Sequence, residues 1–180
     1  DWALKSHQRA VAGWDNGFFD DLVISLPELA RDANPRADTS AERLAALKPA
    51  FDRESGQGSL TAGNSSPITD GAAGCWVAND AGLRRLPAGT PFARLVDYEV
   101  SAVDLHSEGL LMAPSYGIPR LIARHRLGFS DIALWEIHEA FAAQVLANVA
   151  AIADPDWVRE KAGVEAAMGE FDWNRVNPNG

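Results

Sequence analysis

Leu4, His7, Val11 and Trp14 recur at three- and four-residue intervals, a spacing that predicts a helix over DWALKSHQRAVAGW with that face buried. Asn16-Gly17 breaks the pattern, and LVISL (22–26) reads as a short strand. Thr39 followed by Glu42 makes a capping-box signal for the helix SAERLAALK, which Pro49 stops. A Gly-, Ser-, Thr- and Asn-rich stretch follows, ending in GAAGCWVA, whose small residues suit a closely packed strand or helix. LRRLPAG (83–89) has the composition of a linker.

Beyond residue 90 the pattern changes. ARLVDYEVSAV (93–103) reads as a strand, and PSYGIPRLIARHRLG as a helix ended by Gly128. IALWEI (132–137) is the next strand, and EAFAAQVLANVAAIA (139–153) a helix with Phe141, Val145, Val149 and Ile152 on one face. Strand, helix, strand, helix with short joints predicts an α/β fold with a right-handed βαβ unit and parallel strands.

Composition narrows the function. A formal charge of −9 disfavours sequence-independent nucleic-acid binding, because such a surface repels phosphate backbones. No apolar run reaches the roughly 18 residues of a membrane span. The one cysteine, Cys75, cannot form an internal disulfide, which leans toward a reducing, cytoplasmic compartment.

In a parallel α/β layer, ligands collect at the carboxyl ends of strands, where His138 falls. A neutral imidazole there can donate one hydrogen bond into a pocket and accept another, an arrangement suited to an oxyanion; the alternative is a structural or capping histidine. HEAFA lacks the second histidine of a helical zinc pair, since that position is Ala142, and no other Cys or His cluster replaces it, so no metal is expected. Cys75 lies among small apolar residues with nothing nearby to lower its pKa, and reads as a core cysteine. SGQGSLTAG meets neither the dinucleotide nor the P-loop pattern. Arg120, Arg124, His125 and Arg126 read as a solvated helix terminus, and Arg36 as a loop arginine.

Three segments in order resemble the thiolase family: LTAGNSSPITDGAAG (60–74), IHEAFAAQ (137–144) and the terminal NPNG. SHQRA and PRADTSAERLAALKPAF (35–51) fit the same order. Histidine at 138 is similar to the HEAF-type thiolase subunits of fatty-acid β-oxidation complexes. The resemblance implies a thiolase-type layered αβαβα fold, present in part: residues 1–66 as the end of the loop domain, 67–89 as the close of the N-terminal domain and linker, and 90–180 as the first part of the C-terminal domain. It implies cleavage of 3-ketoacyl-CoA with CoA, or the reverse Claisen condensation, through an acyl-cysteine. CoA would act as co-substrate, with no other cofactor.

By the same resemblance, His138 would help build an oxyanion hole, with Glu139 supporting it. Ala62, Ser66, Ala140 and Phe141 would line the pantetheine path, and Arg36 would pack on the adenine. The nucleophilic cysteine and the G-H-P histidine would lie outside the 180 residues, making this a central slice that is inactive alone. A homodimer or higher oligomer is expected, together with the hydratase/dehydrogenase subunit of β-oxidation complexes. The alternative is a non-catalytic thiolase-like subunit that binds acyl-CoA or lipid. Pro67 and the longer 154–176 segment depart from the compact family pattern.

Overall fold

A computed structural model of the chain describes residues 1–180, divided between two units: residues 1–66 with 99–180, and residues 67–98. No helix is long and apolar enough to cross a membrane.

In the first unit, α1 (Trp2–Asp15) forms over the periodic stretch, as its spacing predicts. Leu4, His7, Val11 and Trp14 are each half-buried, while Trp2 and Gly13 are buried. The next helix, α2 (Ala41–Ala45), has Ser40 as its N-cap, one residue later than Thr39: Ser40 Oγ accepts from the Arg43 N–H at 3.2 Å. The Glu42 carboxylate is held below its ordinary pKa by its own backbone N–H and then by the Ser40 hydroxyl.

The second unit holds one short helix, α3 (Asp80–Leu83), capped by Asn79 Oδ1 at 2.9 Å from the Gly82 N–H. The stretch 83–89 expected as a linker lies within this unit. GAAGCWVA forms neither strand nor helix and is exposed throughout, so Cys75 is an exposed thiol rather than a core residue.

Back in the first unit, α4 (Leu105–Glu108) is capped by Asp104, and α5 (Ala113–Arg124), with His125 as its C-cap, ends four residues before the expected stop at Gly128. Arg120 Nε donates to Ala162 O at 2.9 Å and Arg124 pairs with Glu99, so the basic end of α5 is tied into the unit instead of being merely solvated. The last long helix, α6 (Ala142–Ala153), packs on α5 and is followed by a turn, Pro155–Trp157, and a π-helical turn, Val158–Ala162, which Gly163 closes at φ 71°. A π turn spends one extra residue per turn and widens the helix.

The core lies between α5, α6 and the 168–176 segment. Val145, Val149 and Ile152 project from one face of α6, as the period predicts, onto Ile122, Phe129, Trp135, Met168, Phe171 and Val176. Edge-to-face packing of Phe129 on Phe171, with centroids 5.4 Å apart, extends through Trp173 to Trp2, centroids 4.9 Å apart. This draws the first turn of α1 into the same core.

The expected strands do not form ladders. Pairing is confined to isolated bridges: Leu26 with Leu29, Pro49 with Thr61, Ser65 with Phe141, and, in parallel, Trp135 with Val176. LVISL ends in a tight turn, with the Leu26 N–H donating to Leu29 O at 3.1 Å. Residues 132–137 keep one parallel contact, and residues 93–103 keep none. The physical reason is that a strand leaves its N–H and C=O groups for a neighbour to satisfy, and no adjacent backbone among the 180 residues pairs with 93–103.

Candidate functional site

The segment LTAGNSS folds as a self-bonded turn. The Thr61 N–H donates to Asn64 Oδ1 at 2.8 Å, Asn64 Nδ2 donates to Ser59 O at 2.9 Å, and the Gly63 N–H reaches Thr61 Oγ1 at 3.2 Å. Asx-type bonding of this kind lets a short loop hold its shape without a ladder. Its approach is set by Gly58, where a Cβ would stand 2.5 Å from Phe51 O and 2.6 Å from Asp52 O. Both neighbours are backbone, so glycine is required there.

Beside this turn lies an open cleft of about 490 Å³ lined by Lys48, Pro49, Ala50, Arg53 and Ala62. Ala62 therefore faces a space with an apolar floor and two cations on its rim. Sequence reading missed Lys48 and Arg53, because two basic residues in a loop carry no signal until the loop closes on itself.

HEAFA meets this turn directly. The Ser66 N–H donates to Ala140 O at 2.9 Å, and the Ala142 N–H donates to Asn64 O at 3.0 Å, closing an antiparallel bridge between Ser65 and Phe141. Phe51 packs edge-on against Phe141, centroids 6.0 Å apart. Ser66 thus lies beside the Ala140-Phe141 pair, far along the chain from it.

This pairing also moves the start of α6. The helix was expected from Glu139; it begins at Ala142, with Phe141 as its N-cap in extended conformation. His138 is therefore not in the first turn of a helix, and the dipole of α6 acts on it only from a distance. The first helical N–H is occupied by Asn64 O instead of facing a ligand.

His138 is exposed between two anchored neighbours. The Ile137 N–H donates to Asn177 Oδ1 at 2.7 Å, and Asn177 Nδ2 donates to Ile137 O at 2.8 Å. The same amide donates to Glu139 Oε1 at 2.7 Å, and Trp2 Nε1 donates to that oxygen at 2.9 Å. Asn177 is buried, with φ 42° in the left-handed region that asparagine tolerates better than most residues. Arg9 donates to the carbonyls of Val176 and Asn177, fixing the turn from α1. The sequence reading named NPNG only as a motif; an asparagine just after a buried valine was the available signal for Asn177.

Arg36 stands on a separate loop, exposed, its backbone N–H donating to His7 Nδ1 at 3.3 Å. That bond requires Nδ1 to be unprotonated. Burial, and then the nearby Arg36 guanidinium, hold the His7 pKa below its ordinary value against an opposing pull from Glu139.

Chemically, the arrangement offers one exposed imidazole on a clamped backbone, an apolar wall from Ala62 to Phe141, and cations at the periphery. Such an imidazole can donate a hydrogen bond to an oxygen that gains charge, and neither 58–66 nor 137–142 contains a thiol.

Comparison with known proteins agrees with this order of parts. Residues 1–81 match the thiolase N-terminal domain, and residues 89–180 match the thiolase C-terminal domain. The chain is 38% identical over 181 aligned residues to a 3-ketoacyl-CoA thiolase of Serratia proteamaculans, covering 97% of this chain and 41% of the relative. A 3-ketoacyl-CoA thiolase of Yersinia enterocolitica matches to the same extent. The chain thus spans 41% of the length of these curated relatives. Its backbone superposes on the dimeric peroxisomal thiolase of Saccharomyces cerevisiae with a TM-score of 0.72 at 30% identity, covering 100% of this chain and 42% of that one. The Acat5 thiolase of Ascaris suum, solved in complex with coenzyme A, gives 0.75 at 30% identity, covering 99% and 42%.

Proposed function

Because the chain belongs to the thiolase family and carries part of that fold, we propose that the protein it represents is a 3-ketoacyl-CoA thiolase of fatty-acid β-oxidation. Curated relatives bearing that name support the reading. In the reaction, a cysteine thiolate attacks the 3-keto carbon. The C2–C3 bond breaks, acetyl-CoA leaves after protonation of its carbanion, and CoA thiol then takes the acyl group from the cysteine. The nucleophile is assigned to residues outside this chain, since Cys75 lies in neither segment that builds the site.

Each residue here has a part in that chemistry. His138 donates to the thioester oxygen, directly or through a water, where negative charge grows as the carbanion forms. Glu139 holds the backbone that carries it. Ala62, Ser66, Ala140 and Phe141 form the wall along which pantetheine runs, and Arg36 packs on the adenine. CoA is co-substrate, and the reaction calls for no metal. Dimer formation is the assembly we assign, on the precedent of the dimeric yeast structure; a hydratase/dehydrogenase subunit is the partner expected of the β-oxidation subgroup. The single cysteine favours a reducing, cytoplasmic setting.

The observation that carries the proposal is the antiparallel pairing of 64–66 with 140–142, which joins the TAGN turn to the segment directly after His138. The test is CoA-dependent cleavage of a 3-ketoacyl-CoA by the protein as its source makes it. His138→Ala is expected to lower kcat by roughly 10²–10³-fold, the effect of deleting one oxyanion donor. An unchanged rate would remove His138 from the mechanism. Acyl-CoA binding without cleavage by the wild type would favour the non-catalytic alternative.

A further inference from the structure

We infer that Trp2 is a positioning residue for the His138 site, acting through Glu139; the inference rests on the oxyanion role given to His138 above. The Asn177 side chain accepts one hydrogen bond and donates two, holding residues 137 and 139, one on each side of His138. Two of these fix Ile137 through its backbone. Glu139 is fixed only through its side chain, and Oε1 receives both the Asn177 amide and the Trp2 indole N–H.

The two donors come from different elements. Asn177, itself buried, opens the 177–180 turn, and Trp2 is buried and packed on Trp173, within the aromatic core. An indole locked by its ring presents its N–H at a fixed point, because two side-chain torsions set the whole group. A carboxylate that accepts from it is held to the aromatic core as well as to the 177–180 turn. The indole bond also joins α1, at the start of the chain, to the 137–139 segment, so α1 carries both the Glu139 anchor and, through His7, the Arg36 loop. Loss of the N–H leaves the Glu139 side chain on Asn177 alone and loosens the short stretch that carries His138 between the anchored Ile137 and Ala140. A misplacement of about 1 Å at a reacting group can cost about 10²-fold in rate.

Trp2→Phe keeps an aromatic ring against Trp173 and removes the donor. Expected is a fall in kcat of roughly tenfold with KM for the 3-ketoacyl-CoA unchanged, below the full cost of a 1 Å displacement. The same substitution placed on His138→Ala should have no further effect on kcat, since the group being positioned is gone. A purely structural tryptophan would lower both backgrounds alike, and that result, or a Trp2→Phe kcat equal to wild type, overturns the inference. Should His138→Ala itself leave the rate unchanged, the oxyanion reading fails first. A readout that needs no turnover is the ring resonance of His138 by NMR. It should broaden or shift in Trp2→Phe and stay put in Trp157→Phe, an aromatic replacement beside Tyr116; an unmoved His138 resonance in Trp2→Phe also overturns the inference.

Discussion

Two stretches that both read as core-forming end in opposite states. In α6, Val145, Val149 and Ile152 are essentially closed to solvent, at 0%, 2% and 1% exposure. In residues 93–103, Leu95 and Val100 are 86% and 82% exposed. The apolar residues are of the same kinds, although 93–103 also carries Arg94, Asp97 and Glu99; a further difference is where the backbone finds its hydrogen bonds. A helix closes its own N–H to C=O ladder and needs a neighbour only for its side chains. A strand needs another backbone before its side chains have a layer to pack in. Hydrophobic pattern therefore predicts burial for α6 unconditionally, and for 93–103 only when a second strand lies alongside.

The largest consequence falls on the helical side. Ile152→Ala in this chain should cost about 2–5 kcal/mol, the range for truncating a closely packed aliphatic core residue. Urea denaturation checks it; a loss under 1 kcal/mol would mean that α6 is as loosely held as 93–103.

A smaller effect separates the two through pH. The folded pKa of His7 lies below its unfolded value near 6.5, owing chiefly to burial. A depressed folded pKa means that the unfolded chain takes the proton more readily. The stabilisation is thus complete above pH 6.5 and is lost as pH falls through the lower folded value. The melting temperature should therefore drop between pH 7.5 and pH 5, and this component should vanish in His7→Gln. The Arg36 loop should loosen over the same interval, since a protonated Nδ1 cannot accept its N–H; α6, with no titratable side chain from Ala142 to Ala153, should keep its amide protection.

The smallest effect belongs to the exposed stretch. Val100→Ala in this chain should change stability by no more than about 0.5 kcal/mol, as for other surface replacements. A larger loss would show that 93–103 is already packed and would undo the contrast.

The same physics explains what could be read in the sequence. Helices α1, α5 and α6 were legible because their period and stop signals are local. The cap of α2 was missed by one residue because Thr39 and Ser40 both carry a hydroxyl, and only the turn decides which one faces the Arg43 N–H. The strand expectations at 22–26, 93–103 and 132–137 failed for want of partners no local pattern can supply. In the site, HEAFA and TAGN were visible as residues, yet their pairing was not. That pairing is a contact between distant backbones, and it moved the start of α6 from Glu139 to Ala142. Trp2 was invisible as a site residue for a similar reason: an indole at the second position looks like core until its N–H meets a carboxylate 137 residues away. Cys75 was misjudged because small neighbours suggested close packing, which composition alone does not create.

The account turns on the clamped 137–139 backbone presenting the His138 ring to a thioester. Its most direct test is a crystal structure of the protein, as its source makes it, with an acyl-CoA bound. The account predicts the His138 imidazole nitrogen within about 2.7–3.1 Å of the thioester oxygen, or of one water bridging to it, the reach of an oxyanion donor. Pantetheine should run along Ser66, Ala140 and Phe141. An imidazole turned into packed side chains, with the thioester bound elsewhere, would contradict it.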